Sequence, residues 1–273
     1  MKLLYFLITN NFHFILITLL TFSIWSNNTY FVVIVPSYNN EQWVERNLDS
    51  IFSQNYPHFR VIYINDASKD RTGELVQQYI KDHHLEDKCT YIENITNQGA
   101  LYNLYHAIHS CDDKEVIVTV DGDDWLAHSQ VLTRVSQEYQ DPNIWITYGQ
   151  FEWSTTHEKG CCEEYRKTTI DNNNFRRTTW YASHLRTFYA KLFKLIKYKD
   201  LRHQGRFFKV TWDLAMMFPM LEMAQERHRF IPDVLYVYNV ENILNDFRIY
   251  PQEQILMETI IRQKKKYYRV KYL

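Results

Sequence analysis

Three carboxylates stand within four residues in Asp121-Gly122-Asp123-Asp124, directly after the apolar run Val116-Ile117-Val118-Thr119-Val120. Anions that close repel by roughly 1 kcal/mol per pair in water, and by more when water is excluded. A hard divalent cation such as Mg²⁺ or Mn²⁺ takes carboxylate oxygens and turns that repulsion into binding. The stretch therefore reads as a metal cradle at the carboxyl end of a strand. The competing reading is an acidic, solvated turn in which Gly122 takes a positive φ. A further carboxylate, Asp213, opens the apolar stretch Trp212-Asp213-Leu214-Ala215-Met216-Met217-Phe218. Taken alone, Asp213 is better explained as a favourable charge at a helix start.

The elements before the acidic turn must position it. Residues 30–35 and 59–64 are short apolar runs of strand type, and 89–93 is a third. Between them, Trp43, Val44, Leu48, Ile51 and Phe52 repeat at helical spacing. Gly73 to His83 and the segment opened by Asn97-Gln98-Gly99 also read as helices. Alternating strand and helix at this spacing predicts βαβ units and a mostly parallel, doubly wound α/β sheet flanked by helices. In such a sheet the expected order is 3-2-1-4, and ligands bind where the winding reverses. That order brings Pro36, Ser37 and Tyr38 beside the acidic turn, with Asp66 one strand away. There is no Gly-rich dinucleotide loop after the first strand and no phosphate loop ending in Gly-Lys-Ser/Thr. Phosphates would have to be held through the metal.

The second half carries weaker patterns. Trp145 to Tyr148 reads as a strand, residues 152–180 as a polar, mobile loop, and Arg186 to Lys197 as a helix. A helix over Thr211 to Glu226, a strand over Ile231 to Val240 and a surface helix over Tyr250 to Lys266 follow.

The 273 residues suffice for one large or two small domains, and 45% hydrophobic with 16% aromatic content supports a real core. A net charge of -1 excludes a general basic footprint for nucleic acid. Four cysteines lack zinc-like spacing and do not form a disulfide framework. Residues 1–26 read either as a signal peptide or as a membrane anchor, because Leu3 to Trp25 is free of Asp, Glu, Lys and Arg and follows Lys2. Either reading predicts a membrane-associated or secretory-pathway protein. The expected organisation is this segment, a domain over 27–250, and a helix with a basic tail over 251–273.

Together these residues resemble the family-2 inverting glycosyltransferases of GT-A fold. The matching parts are Val33 to Asn40, the Ile64-Asn65-Asp66-Ala67-Ser68 exit, Asn97-Gln98-Gly99, the acidic turn, and the helix starting at Trp212-Asp213. The resemblance implies the GT-A (nucleotide-diphospho-sugar transferase) fold and transfer of a sugar from a nucleotide-sugar, with uridine the commonest base. The acceptor would be a glycan, lipid or protein hydroxyl. It implies that Pro36, Ser37, Tyr38, Asn39 and Asp66 border the nucleotide. Asp121, Asp123 and Asp124 would hold Mn²⁺ or Mg²⁺, Asp121 also the donor, and Asp213 would be the base. Where many members carry Arg-Asn in the helix after Asn-x-Gly, this chain has Tyr102-Asn103. Arg186 would be the substitute cation for donor binding and His184 a further metal or phosphate contact; a structural role is the alternative for both. Two other classes compete: a glycan-binding domain of this fold without catalysis, and a phosphatase of haloacid-dehalogenase type, whose strand also ends in Asp-x-Asp.

Overall fold

The structure, a computed structural model, describes residues 29–273. Strand β1 (Phe31–Ser37) is buried along its whole length, as expected of a central parallel strand. It pairs in parallel with β2 (Phe59–Asn65) on one side and β4 (Val116–Thr119) on the other, and β3 (Cys89–Glu93) flanks β2. Helices α1 (Val44–Phe52), α2 (Thr72–Asp82) and α3 (Ala100–His109) make the crossovers. The order β3-β2-β1-β4 is the one predicted.

Beyond β4 the chain adds β5 (Trp125–Leu126), α4 (Val131–Glu138), β6 (Ile146–Trp153), α5 (Lys167–Asp171), β7 (Arg186–Tyr189), α6 (Ala190–Lys194), a small hairpin β8 (Arg202–His203) and β9 (Arg206–Phe207), α7 (Trp212–Ala224), β10 (His228–Tyr238), α8 (Asp246–Ile249) and α9 (Pro251–Gln263). The sheet continues β4-β7-β6-β10-β5, with β7 antiparallel to both neighbours and β5 antiparallel to β10. The sheet is thus mostly parallel, with two reversed strands.

Side-chain alternation splits the core between two faces. Val32 and Ile34 pack with α3, α6 and α7, while Phe31, Val33 and Val35 pack with α1, α2 and α4.

Two expectations are corrected. Arg186 to Lys197 is not one helix: its first four residues are β7, and only Ala190–Lys194 is helical. Arg186, Thr187 and Phe188 are buried between β4 and β6, so tertiary pairing overrides the helical spacing of Leu192, Phe193 and Ile196. The stretch 152–180 is not a loose loop either, because Cys162, Tyr165, Phe175 and Arg176 are buried along it. Its anchors are too few and too far apart to show against a polar background.

The expected membrane or secretory location is also corrected. Among the described residues no helix is long and apolar enough to cross a membrane. The segment 1–26, on which that expectation rested, lies outside the described residues.

Helix α7 is fixed from behind by a buried ion pair. Arg176 donates from Nε and Nη2 to the two carboxylate oxygens of Glu222, at 2.7 and 3.0 Å, and from Nη1 to the Ile261 carbonyl at 2.6 Å. Glu222 Oε2 also accepts the Tyr267 N–H, so the C-terminal segment closes on the same carboxylate. Removing one partner strands a buried charge. Glu222→Ala is expected to lower stability by about 3–5 kcal/mol in urea unfolding, and a loss below 1 kcal/mol would show the pair to be dispensable.

Candidate active site

The acidic turn grows from the end of β4. Val120 and Gly122 still donate to the Ile34 and Pro36 carbonyls, which carries the β1–β4 pairing into the turn. Gly122 does not take a positive φ. Its missing side chain is needed for another reason: a Cβ there would lie 2.4 Å from Ser37 Oγ and 2.8 Å from Asn40 Nδ2. The turn therefore presses directly on the exit of β1, as the expected winding requires.

Every carboxylate of the turn has a partner within the protein. Asp124 is 2% exposed; its oxygens accept from Tyr236 Oη at 2.6 Å and from the Asn239 N–H at 2.7 Å. Asp123 Oδ2 accepts from Asn242 Nδ2 at 2.7 Å. Asp121 lies 3.6 Å from Arg186 Nη2. Asn47, buried on α1, grips the backbone of the turn, donating to the Asp121 and Asp124 carbonyls at 3.0 and 2.7 Å. Burial raises the pKa of Asp123 above the ordinary carboxylate value. It raises that of Asp124 further, with the nearby Asp123 and Asp121 charges adding to the effect.

Arg186 ties the turn to α7. Its guanidinium is 1% exposed and spans three elements. Nε donates to Thr119 Oγ1 at 3.2 Å, Nη2 faces Asp121, and Nη1 stands 3.5 Å from Asp213 Oδ2. The group also lies over the Trp212 ring, 4.9 Å from its centroid. Nη2 makes no hydrogen bond, which leaves a buried N–H to be met by something else. Asp213, in the first turn of α7, has its pKa raised by burial, and Arg186 opposes that rise. No cation comes from α3. Tyr102 packs at a tilt against His106 at 4.4 Å, and Asn103 accepts from Asn94.

His184 precedes β7 and is buried. Its ring stacks on Tyr236 at 4.4 Å and its Nδ1 has no hydrogen-bond partner. Ligand atoms of Asp121, Asp124 and His184 lie within 4.8 Å of one another, a donor set that fits a divalent cation.

The expected nucleotide-facing residues are drawn to the same end of the sheet, and several are braced internally. Asp66 accepts from the Gln98 and Gly99 N–H groups at 2.9 and 2.8 Å and from Asn94 Nδ2 at 2.7 Å. Its own N–H donates to the Ser37 carbonyl. Asn39 holds the Ser68–Lys69 turn through its amide N–H and Oδ1. The Tyr38 side chain is exposed. A cleft of about 440 Å³ opens between Asn39, Trp43, Lys69 and Asp70 on one side and Asn242 and Leu244 on the other. A larger concavity of about 800 Å³, lined by Arg46, Tyr79 and His128 among others, holds none of the acidic-turn carboxylates.

Sequence reasoning missed Asn47, Tyr236, Asn239 and Asn242. Two signals were present. Asn47 is a polar residue on the buried face of α1, with Val44, Leu48 and Ile51. Asn239, Asn242 and Asn245 recur at every third position after β10.

Comparison with known proteins agrees with this geometry. Residues 32–208, well over half of the chain, match the family described as "Glycosyl transferase family 2". The chain is 28% identical over 181 residues to Glycosyltransferase GlyA of Streptococcus pneumoniae; that match covers 62% of this chain and about a quarter (25%) of the relative. Among solved structures, Staphylococcus aureus TarS residues 1–349 in complex with UDP-GlcNAc is similar at TM-score 0.61 and 16% identity, covering 85% of this chain and 65% of that one. The mannosyltransferase PcManGT of Pyrobaculum calidifontis, in complex with GDP-Man and Mn²⁺, is similar at TM-score 0.61 and 21% identity, covering 89% and 67%. The sheet order, the helices on both faces and these likenesses give the GT-A fold, and the chain belongs to glycosyl transferase family 2.

Proposed function

We propose that the chain transfers a sugar, with inversion, from a nucleoside-diphosphate donor to an acceptor hydroxyl. The observation that carries this reading is the single buried guanidinium of Arg186, which joins Asp121 of the acidic turn to Asp213 at the head of α7. In this reading Arg186 links the donor side of the site to its carboxylate base. The two similar structures hold UDP-GlcNAc and GDP-Man, which supports a nucleotide-sugar donor of either base, with uridine the first to test.

Each residue has a role in this reading. The loop Pro36, Ser37, Tyr38 and Asn39, with Asp66 behind it, borders the nucleotide. Arg186 Nη2, which lacks a hydrogen bond, receives a diphosphate oxygen while Nη1 keeps Asp213 oriented. Asp213 removes the acceptor proton as the hydroxyl attacks; burial raises its pKa above the ordinary carboxylate value, which makes it a stronger base than a free carboxylate, while Arg186 opposes that rise. Asp121, Asp123 and Asp124 would hold Mn²⁺ or Mg²⁺. Such an ion, when bound, offsets the negative charge that develops on the departing diphosphate.

The acidic turn also makes stability depend on pH. An acid whose folded pKa is raised keeps its proton in the folded state after the unfolded chain has released it. The folded state then binds more protons, so stability is greatest below the ordinary carboxylate range and falls as pH rises through the raised value.

Three outcomes are expected. Asp213→Asn keeps donor binding, measured by calorimetry with UDP-sugars, and lowers turnover about 10²- to 10⁴-fold; unchanged turnover removes Asp213 as the base. In the presence of EDTA, urea unfolding shows stability falling as pH rises from the ordinary carboxylate range upward. Asp124→Asn flattens that slope, and an equally steep slope in the variant assigns the effect to other groups. The wild-type chain also hydrolyses a nucleotide-sugar slowly in Mn²⁺, whereas release of phosphate from simple esters instead would favour the phosphatase class.

A further inference from the structure

We infer that the cation seat of this chain is a mixed one, in which a ring nitrogen of His184 joins carboxylate oxygens of the acidic turn, those of Asp121 and Asp124 among them. The inference rests on the metal-dependent reading above. Among the described residues, Asp121, Asp124 and His184 form a group whose ligand atoms all lie within 4.8 Å of one another. Asp123 is not in that group. Its Oδ2 is taken by Asn242 Nδ2 at 2.7 Å, and Asn242 Nδ2 also reaches Asn40 Oδ1 at 3.4 Å. Asp123 thus ties the loop after β10 to the exit of β1.

His184 supplies an independent pointer to a ligand. The residue is 6% exposed and its Nδ1 has no hydrogen-bond partner, an unfavourable state for a buried ring nitrogen. The ring is held in one plane by Tyr236, stacked at 4.4 Å and 14°, and by the edge of Phe151 at 5.6 Å. Tyr236 also hydrogen-bonds Asp124. One residue therefore orients two members of the group, which is how metal ligands are commonly fixed by their outer partners. A nitrogen ligand has a chemical consequence: it favours Mn²⁺ or Co²⁺ over Mg²⁺, which prefers an all-oxygen shell.

Electron spin-echo modulation of Mn²⁺ bound to the full chain, alone and with UDP, reads the ligand directly. Nitrogen modulation is expected in the wild type and in Asp123→Asn. It is expected to vanish in His184→Asn, with the Mn²⁺ Kd raised about tenfold or more. Bound Mn²⁺ with oxygen ligands alone overturns the His184 assignment and leaves metal-dependent transfer standing. Absence of bound Mn²⁺ under both conditions overturns the two together. If either variant fails to fold, the wild-type spectrum decides alone.

Discussion

Charge compensation in a dry cleft is the constraint on which this structure depends. Asp121, Asp123, Asp124 and Asp213 crowd one end of the sheet, and Arg186 is the buried cation placed among them. Three neutral donors, Tyr236, Asn239 and Asn242, share the remaining load. A cluster of this kind suggests that only an ion makes it tolerable. The structure revises that view, because each carboxylate of the turn already meets a protein partner. The relief is partial, as the raised pKa values of Asp123 and Asp124 show. The turn is therefore shaped before any ligand arrives and is still short of positive charge. That combination suits a preorganised binding site, since little reorganisation is left to oppose binding.

Local pattern made the first half of the fold legible. Buried β-branched runs separated by amphipathic helices gave β3-β2-β1-β4, and that order placed the acidic turn beside the β1 exit. What stayed hidden has a common cause in chain separation. Asn47 reaches Asp124 across 77 positions, and Tyr236 reaches it across 112. Neither separation leaves a periodicity to read. Strand β7 escaped for a related reason: four residues between two partner strands carry too little signal against the helical spacing that follows them. Asp66 was foreseen as a site residue, yet its carboxylate also fastens the start of α3 to the end of β2, a duty that its position alone does not disclose.

The family match and the chemistry divide the chain at a telling place. The matched segment ends at residue 208, and Asp213 follows just beyond it. The matched segment takes in β1 to β9 with the acidic turn between β4 and β5.

Helix α7 has no solvent face. All of its residues except Asp213 are buried, including the stretch from Leu214 to Ala224. A helix of that kind cannot drift in sequence without disturbing the packing around it, because interiors are close-packed and even one methylene is felt. Change in a lineage built on this scaffold would then have to be written in the surrounding loops, with Asp213 carried unchanged on a helix that evolution has little room to edit.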